Sequence, residues 1–462
     1  MLSPLGLLVV LFGVFLPMTD FFIVNVALPT INHDLHASSG LLQLVVAGYS
    51  VSYALLLVIG GRLGDALGRR RLFLIGMAAF TLTSLACGVA PTIGFLVAAR
   101  VLQGAAAAMM LPQVLSTIQA TTSGHERARA LGKVGATGGI AMVAGQLFGG
   151  LLVAANIAGA GWRPIFLVNV PFGIAGLWLA SRTVPETRSA DPAPVDRLGT
   201  LLLGFTVLSL LIPLTEGRSL GWPIWSIALL VLFPVSAAAF LHFETRLEGE
   251  GGLPLVPFSV VRVPSMRRGL ALALPFFTGF GGFMFVYTIA LQEGAGLDAL
   301  RAGLYLVPMA LGFLAASLST AKLLRRFGRR IMTVGALAQA AGLAGVFLSL
   351  WGSWPHPDAL TLCPPVLLAG LGQGLIMSPL MGVVLSDVPP ERAGVGSGVL
   401  TTTQQTALAL GVATFGTFYL TYAPTNRWGS LDATLAILGA LVVVALGVAA
   451  MSVRLPNPGR RP

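Results

Sequence analysis

The chain has few charged residues and few of the residues that build enzyme and metal sites. Only 10% of its 462 residues are charged, and it contains two cysteines and five histidines. Cys87 and Cys363 lie too far apart in sequence to indicate a disulfide framework or a metal-ligand spacing. The phosphate-binding pattern Gly-x-x-x-x-Gly-Lys-Ser/Thr does not occur, which argues against an ATP-driven protein. We therefore expect a protein that is not an enzyme and that needs no cofactor or metal ion.

Apolar residues, in contrast, are abundant. They make up 55% of the chain, and a mean hydropathy of +0.86 exceeds what a water-soluble core could bury. A helix needs about twenty apolar residues, at about 1.5 Å each, to cross a bilayer. The sequence predicts an all-α integral membrane protein with fourteen transmembrane helices. These lie near 5–28, 41–61, 72–90, 93–118, 131–154, 163–182, 198–215, 223–242, 268–291, 302–321, 331–351, 362–386, 395–420 and 432–453.

The positions of lysine and arginine predict the orientation. Alternate loops, beginning with 62–71, and the C-terminal tail together hold 23 of the 28 basic residues. Positively charged loops stay in the cytoplasm, so we expect a multi-pass protein of the cell inner (plasma) membrane with both termini cytoplasmic. The net charge of +11 then lies beside anionic membrane lipid, and no nucleic-acid partner is expected.

An internal repeat predicts two related halves. Residues 61–70 recur as 321–330, with the same leucine, glycine and arginine pair, and a weaker match relates 126–128 to 391–393. Both copies of the first motif join a second helix to a third, which indicates two six-helix bundles with two helices inserted between them. The predicted domains are an N-terminal six-helix bundle, two linker transmembrane helices, a cytoplasmic linker, and a C-terminal six-helix bundle with a short tail. Their bounds are 1–185, 186–245, 246–266 and 267–462.

Asp20 is the acidic residue placed deepest inside an apolar segment, residues 5–28. An ionised carboxylate at mid-bilayer costs roughly 2.5 to 3.5 kcal/mol or more, so such a residue is functional by default. A carboxyl that binds a proton when neutral and attracts a cation when charged can exchange one for the other. The alternative is an Asp that is permanently neutralised by an ion pair, with Arg100 as the obvious partner, or that is hydrogen-bonded to a neighbouring helix. Arg100 could equally bind backbone carbonyls and hold helices together.

Several motifs together resemble the major facilitator superfamily, and specifically its fourteen-helix drug:proton antiporter family, over essentially the whole chain. The resemblance implies the superfamily fold and proton-coupled export by alternating access, with Arg100 near Asp20 at the proton-coupling site. It rests on the loop motif 61–70, the fourth-helix motif 100–104, the first-helix motif 24–29 after Asp20, and the segment 162–171 that enters the sixth helix.

Two further motifs have mechanical interpretations. In the loop motif, Asp65 can meet positive charge at the following helix start while Gly68 permits a turn, so a cytoplasmic latch is predicted. A solvated charge cluster would explain the arginines but not Asp65 and Gly68. The predicted latch residues are Gly61, Asp65, Gly68, Arg69 and Arg70, and the second copy has Arg325 in place of the acid.

Helix five carries glycines that allow close helix packing, and it resembles the fifth-helix motif of exporters with one departure. Where the family usually has Gly-Pro, this chain has Gly145-Gln146, so the expected proline kink is missing and the support for export is weaker. Gln146 is interpreted instead as a hydrogen-bonding residue between helices. The motif is completed by Gly149 and Gly150.

The candidate residues for a substrate cavity are aromatic residues of one helical stripe and residues with a side-chain amide. The aromatic stripe on helix nine could line an apolar cavity, although lipid-facing or core packing is the commoner explanation. A polar run at 401–405 could line the pore or pack between helices. The candidates are Gln103, Phe276, Phe280, Phe283, Tyr287 and Gln404.

The function predicted from these features is a proton-coupled antiporter, expected to act as a monomer, that exports hydrophobic or amphipathic drugs or toxic compounds. One deep acid predicts one proton per cycle at that site and poor transport of dications. A dedicated natural-product or lipid exporter of the same fold is one alternative. A non-transporting membrane scaffold or a lipid-modifying enzyme is another, from a different class.

Overall fold

The computed structural model describes residues 3–188, 196–217, 220–328, 330–389, 393–423, 427–453 and 455. These residues form helices joined by short connections, and they contain no strand. In the first part of the chain the helices are α1 Pro4–Leu35, α2 Ser39–Leu67, α3 Arg69–Gly88, α4 Ile93–Thr121, α5 Gly124–Ala155, α6 Pro164–Leu167, α7 Asn169–Thr183, α8 Arg197–Glu216 and α9 Ile224–Gly249. In the second part they are α10 Phe258–Val261, α11 Pro264–Ile289, α12 Ala299–Phe327, α13 Arg330–Ser353, α14 Ala359–Val384, α15 Ala393–Gly411, α16 Thr417–Tyr422 and α17 Arg427–Ser452.

The fold-class prediction is confirmed. In the described part of the chain, thirteen helices are long and apolar enough to cross a membrane. The predicted span 395–420 is not among them; it corresponds to α15, a π-helical turn and α16. The polar run 401–405 lowers the mean hydropathy of α15, which accounts for this difference. The sixth predicted span is interrupted between α6 and α7, because Pro171 cannot donate a backbone hydrogen bond to Leu167.

Short polar side chains begin several helices in the way that their sequence predicts. Ser3 accepts a hydrogen bond from the backbone N–H of Gly6 at 3.0 Å, and Ser38 accepts one from Leu41 at 3.2 Å. Asp298 accepts from the backbone N–H of Arg301 at 2.8 Å. Such caps satisfy donors that a helix start leaves unpaired. They fix where each long apolar helix begins.

The described chain divides into two compact units. The first comprises residues 1–21, 31–141 and 156–258. In it, α2 packs against α4 and α8, α3 packs against α4 and α7, and α8 packs against α9. Its apolar core includes Tyr49, Tyr53, Phe73, Phe80 and Met110.

The second unit comprises residues 22–30, 142–155 and 259–462. In it, α14 packs against α12 and α13, α17 packs against α13 and α11, and α11 packs against α15. Residues 22–30 of α1 and the C-terminal part of α5 belong to this unit. The domain boundaries proposed from the internal repeat stay a prediction.

Candidate functional site

Asp20 and Arg100 form a fully buried ion pair inside the first unit. Asp20 on α1 and Arg100 on α4 are both 0% exposed. The guanidinium Nη1 of Arg100 donates to Oδ2 of Asp20. Arg100 also donates through Nε to the carbonyl oxygen of Val45 on α2 at 3.0 Å. Both interactions that the sequence left open for Arg100, an ion pair and a backbone carbonyl bond, are therefore present.

Two side-chain amides complete the environment of Asp20. Gln103 on α4 donates to Oδ1 of Asp20 at 3.0 Å, and Asn169 on α7 donates to the same oxygen at 2.8 Å. Both amides also donate to the hydroxyl of Ser84 on α3, at 2.8 Å and 3.4 Å. The Asp20 cluster, defined as Asp20, Arg100, Gln103, Asn169 and Ser84, thus joins four helices. Gln103, predicted as a substrate-cavity candidate, lies within it.

The sequence of α4 explains why this cluster can form. Arg100 and Gln103 are three residues apart, so both side chains project from one helical face. The next residue, Gly104, has no side chain where α4 meets α2, and a Cβ there would lie only 2.3 Å from the carbonyl oxygen of Tyr49. Because the two backbones approach so closely, the side chain of Arg100 reaches Val45.

Aromatic rings hold the Arg100 guanidinium from two sides. Its central carbon lies 4.4 Å from the ring centroid of Tyr49 and 5.6 Å from that of Phe166. Tyr49 is fixed in turn by donating its hydroxyl to the carbonyl oxygen of Pro17 at 3.2 Å. Cation–π contacts stabilise a charge that has lost its water. Among the described residues, the Nη2 atom of Arg100 has no hydrogen-bond acceptor.

The cluster can exist in two states of protonation. When Asp20 is ionised, Oδ1 accepts from two amides and Oδ2 accepts from Arg100, so the carboxylate is well satisfied. When Asp20 is neutral, the burial cost of its charge disappears, but a proton on Oδ2 competes with the guanidinium. Proton binding at Oδ2 and pairing with Arg100 are therefore mutually exclusive.

The loop motif lies at the junction of α2 and α3, away from this cluster in sequence. Asp65 on α2 pairs with Arg69 at the start of α3, with 2.8 Å between Oδ1 and Nη2. Arg69 also donates to the carbonyl oxygen of Ser116 on α4 at 3.4 Å. Gly61 faces α4, and a Cβ there would make an ordinary van der Waals contact with Pro112 at 3.7 Å. The acid of this motif is thus bound by an arginine of the same motif.

Gly68 is required by the conformation of this junction. Its φ of 107° is accessible to glycine and strained for other residues, and a Cβ would lie 2.7 Å from Oε1 of Glu186. Glu186, which the sequence did not single out, accepts from the backbone N–H of Arg70 at 3.1 Å. Arg70 donates in turn to the carbonyl oxygen of Ser181 on α7. The junction is therefore tied to the chain that follows α7.

The fifth-helix motif brings backbones together within the second unit. A Cβ on Gly149 would lie 3.0 Å from the carbonyl oxygen of Ile23, and one on Gly150 would lie 2.9 Å from that of Ala299. Gly145 is buried. Gln146 is 0% exposed, and neither amide atom has a hydrogen-bond partner among the described residues. The proposed hydrogen bond between helices is therefore not seen for Gln146.

The aromatic stripe of α11 is buried in the second unit. Phe276, Phe280, Phe283 and Tyr287 are each at most 4% exposed. Three of them line a small cleft, and Tyr287 stacks on Phe283 with ring centroids 5.0 Å apart. Gln404 on α15 is partly exposed. The stripe thus packs in the core of its unit and borders a cavity, and a role in substrate binding stays a prediction.

The sequence indicates Asp20 and Arg100 as a possible pair but not the side chains around them. Gln103 was expected at a substrate cavity, and Asn169 lies in the motif segment 162–171 without a role of its own. Ser84 and Tyr49 were not singled out. A polar residue in an apolar helix was the available signal for Asn169 and Ser84. Which of the many such residues meet depends on helix packing, which local sequence does not encode.

The described residues offer no metal site. No group of three or more His, Cys, Asp or Glu is placed to hold an ion. Cys87 and Cys363 are free thiols. The chemistry available at the Asp20 cluster is therefore proton binding, hydrogen bonding and charge pairing.

Comparison with known proteins gives a family match over most of the chain. The family described as Major Facilitator Superfamily matches residues 10–412. A probable actinorhodin transporter from Streptomyces coelicolor is 35% identical, over 92% of this chain and 74% of that protein. Puromycin resistance protein pur8 from Streptomyces alboniger is 35% identical over 96% and 88%, and the tetracenomycin C resistance and export protein from Streptomyces glaucescens is 32% identical over 89% and 74%.

Solved structures show the same fold at low sequence identity. A bacterial homologue of the human drug peptide transporters PepT1 and PepT2 has a TM-score of 0.67 at 13% identity, covering 96% of each chain. A bacterial homologue of the human lysosomal transporter Spinster has a TM-score of 0.66 at 17% identity, covering 96% of this chain and 95% of that one.

Proposed function

The chain belongs to the major facilitator superfamily, and we propose that it is a proton-coupled antiporter that exports hydrophobic or amphipathic drugs or toxic compounds. Family and fold are those of transporters, so neither the membrane scaffold nor the lipid-modifying enzyme is supported. The chain is a multi-pass membrane protein, and the names of its relatives describe resistance to, or export of, small molecules.

The observation that carries the proposal is the buried Asp20–Arg100 pair and the two amides around it. A bilayer-embedded acid that pairs with a buried cation is costly and is not needed for packing. In the proposed cycle, a proton arriving at Oδ2 displaces Arg100, and loss of that proton restores the pair. Alternating access requires different arrangements of α1 and α4. Proton binding is coupled to this change if the paired and unpaired states of Asp20 favour different arrangements.

The other motifs fit supporting roles in this proposal. The junction of Asp65, Gly68 and Arg69 acts as a latch at the membrane face predicted to be cytoplasmic. The glycines of α5 allow close helix packing during the conformational change. The aromatic stripe on α11 contributes apolar surface for the substrate. The protein acts as a monomer in the plasma membrane, with membrane lipid around it and both termini in the cytoplasm, and it uses one proton per cycle at Asp20.

A dedicated natural-product exporter is a second candidate function. Three relatives are named for single compounds or compound classes: a probable actinorhodin transporter, a tetracenomycin C resistance and export protein, and a cephamycin export protein. Another relative, 32% identical, is named as a multidrug resistance protein, Stp, from Mycobacterium tuberculosis. Resistance profiles in cells that lack other pumps separate the two candidates, because only a multidrug exporter protects against chemically unrelated compounds.

The proton-coupling proposal is tested with Asp20→Asn in vesicles. Purified protein is reconstituted, a pH gradient is imposed, and efflux of a fluorescent cationic dye is followed. We expect wild type to respond to the gradient and Asp20→Asn to lose the response while keeping its folded size-exclusion profile. The control is Asp34→Asn on the same helix, whose carboxylate is 44% exposed and pairs with Arg163 at 2.8 Å. Gradient-driven efflux by Asp20→Asn at the wild-type rate would contradict the proposal.

A further inference from the structure

A second pair of carboxyl groups meets where α8 begins and α9 ends, in the first unit. Glu244 on α9 is 0% exposed, and Asp196 is the N-cap residue of α8. One oxygen of each group is satisfied by a backbone donor. Oε2 of Glu244 accepts from Val256 at 2.6 Å, and Oδ1 of Asp196 accepts from Gly199 at 2.8 Å.

The remaining oxygen of each group faces the other. A Cβ built on Gly199 would lie 2.2 Å from Oε1 of Glu244 and 2.3 Å from Oδ2 of Asp196. The two oxygens are therefore close neighbours, because both lie within these distances of one point. Both are buried and have no hydrogen-bond donor among the described residues. Two ionised carboxylates in this arrangement repel each other, whereas one proton between them satisfies both oxygens.

The charge around the pair supports the same conclusion. Arg62 on α2 is the cation that interacts electrostatically with both carboxyl groups. Its guanidinium donates to the carbonyl oxygens of Leu253 and Pro254, at 3.2 Å and 2.8 Å. The segment after α9 thus contributes backbone groups near the two carboxyls, and α2 contributes one positive charge. The start of α8 and the end of α9 supply one carboxyl each. One cation balances the two acids when they hold one proton.

We propose that Asp196 and Glu244 form a second proton-binding site, separate from Asp20, in which one shared proton joins α8, α9 and the segment 250–258. With the proton bound, Oε2 of Glu244 accepts from the backbone N–H of Val256. The guanidinium of Arg62 then keeps its hydrogen bonds to the carbonyl oxygens of Leu253 and Pro254. Loss of the proton places two adjacent negative charges beside one cation and loosens this junction. The two inserted helices thereby respond to pH on the membrane face predicted to be cytoplasmic, whatever compound the protein transports.

Infrared spectroscopy of the full-length purified protein tests the shared proton directly. The parent protein carries Asp20→Asn, which removes the buried carboxyl of the Asp20 cluster from the spectrum. We expect a carbonyl stretch of a protonated carboxylic acid at pH 7 in this parent. Adding Glu244→Gln should abolish this band, because the new amide donates to Oδ2 of Asp196 in place of the shared proton. The control Glu250→Gln removes an exposed acid that pairs with Arg246 at 2.8 Å, and it should leave the band intact.

A second variant guards against misfolding of Glu244→Gln. Asp196→Asn keeps a side chain that caps α8 well. Glu244 is then the one acid of the pair and faces the one cation Arg62, so it ionises and the band is lost. A band missing from the parent, or one that persists in both variants, would overturn the proposal. A proton held by the folded protein also makes the unfolding temperature of the parent fall as pH rises, and this dependence should vanish in either variant. Since the Asp20→Asn parent is inactive by design, these results do not depend on proton-coupled transport.

Discussion

Replacing Asn169 by leucine should make Asp20 hold its proton to higher pH. The amide of Asn169 donates to Oδ1 of Asp20 at 2.8 Å, and both residues are at most 2% exposed. Leucine has a similar size and cannot donate, so the ionised carboxylate loses one hydrogen bond while Gln103 and Arg100 remain. The neutral carboxyl loses less, because a hydrogen bond to a charged acceptor is stronger than one to a neutral acceptor.

The magnitude follows from the strength of that bond. A hydrogen bond contributes about 1.5 to 3 kcal/mol to a charged acceptor and about 0.5 to 1.5 kcal/mol to a neutral one, so the two forms of Asp20 lose amounts that differ by about 1 to 1.5 kcal/mol. About 1.36 kcal/mol corresponds to one pH unit, so the half-maximal pH of proton-driven efflux should rise by about one unit. The sign is fixed because the lost donor stabilised the proton-free form more than the neutral form. The assay is dye efflux from proteoliposomes over a series of internal pH values at constant gradient.

The matched control is Gln113→Leu. Gln113 lies on α4, is 1% exposed, and donates to the carbonyl oxygen of Gly60 at 2.8 Å. The variant Gln113→Leu therefore also loses one buried hydrogen bond. It lacks contact with Asp20 in the described structure, and its variant should be less stable without a change in the half-maximal pH. Equal pH profiles for wild type and Asn169→Leu, or equal shifts in both variants, would refute the reasoning.

Two predictions concern α5. Gly150→Ala should lower the unfolding temperature, because its Cβ would lie 2.9 Å from the carbonyl oxygen of Ala299; Gly135→Ala, where nothing lies within 4 Å, should leave it unchanged or raise it. Equal effects of the two alanines in a thermal melt would contradict this. Gln146→Leu should stabilise the protein by about 1 to 3 kcal/mol, because it removes a buried amide that has no hydrogen-bond partner in the described part of the chain. A denaturant titration can measure this change. Destabilisation would mean that this amide is satisfied in the working protein.

The membrane fold could be predicted from sequence because its cause is local. A bilayer leaves backbone groups without water, so every spanning segment must satisfy its own hydrogen bonds and becomes a helix. Length and hydropathy therefore locate most helices, as they do for α1 and α2. The exception, α15, shows the limit of this rule, since its polar run at 401–405 lowers the hydropathy on which the rule depends.

The candidate site could be predicted only in part. Asp20 and Arg100 are conspicuous because each is a charge in an apolar helix, and their opposite signs suggest a pair. Asn169 and Ser84 are neutral, and similar residues occur in many of the helices. Their role depends on how α3 and α7 pack beside α1 and α4, which involves residues far apart in sequence.

The acid pair at Asp196 and Glu244 was missed for a different reason. In sequence, Glu244 lies among other acids just beyond the predicted span 223–242, while in the structure α9 continues to Gly249 and buries it. Asp196 has the ordinary role of a helix cap and gives no sign that its second oxygen faces another carboxyl. Two carboxyl groups 48 positions apart in the sequence become one titrating unit only because α8 and α9 pack against each other.

The Asp20 cluster is better explained by a requirement for two states than by stability. A buried ion pair recovers little more than the cost of removing two charges from water, so apolar side chains could hold α1 against α4 at least as well. The cluster nevertheless places three donors on one carboxylate and a cation between two rings. Such donors stabilise the ionised form, while burial stabilises the neutral form. Because these opposing terms act on the same group, a small rearrangement of α1, α4 or α7 decides which form prevails, and a proton carrier needs that sensitivity.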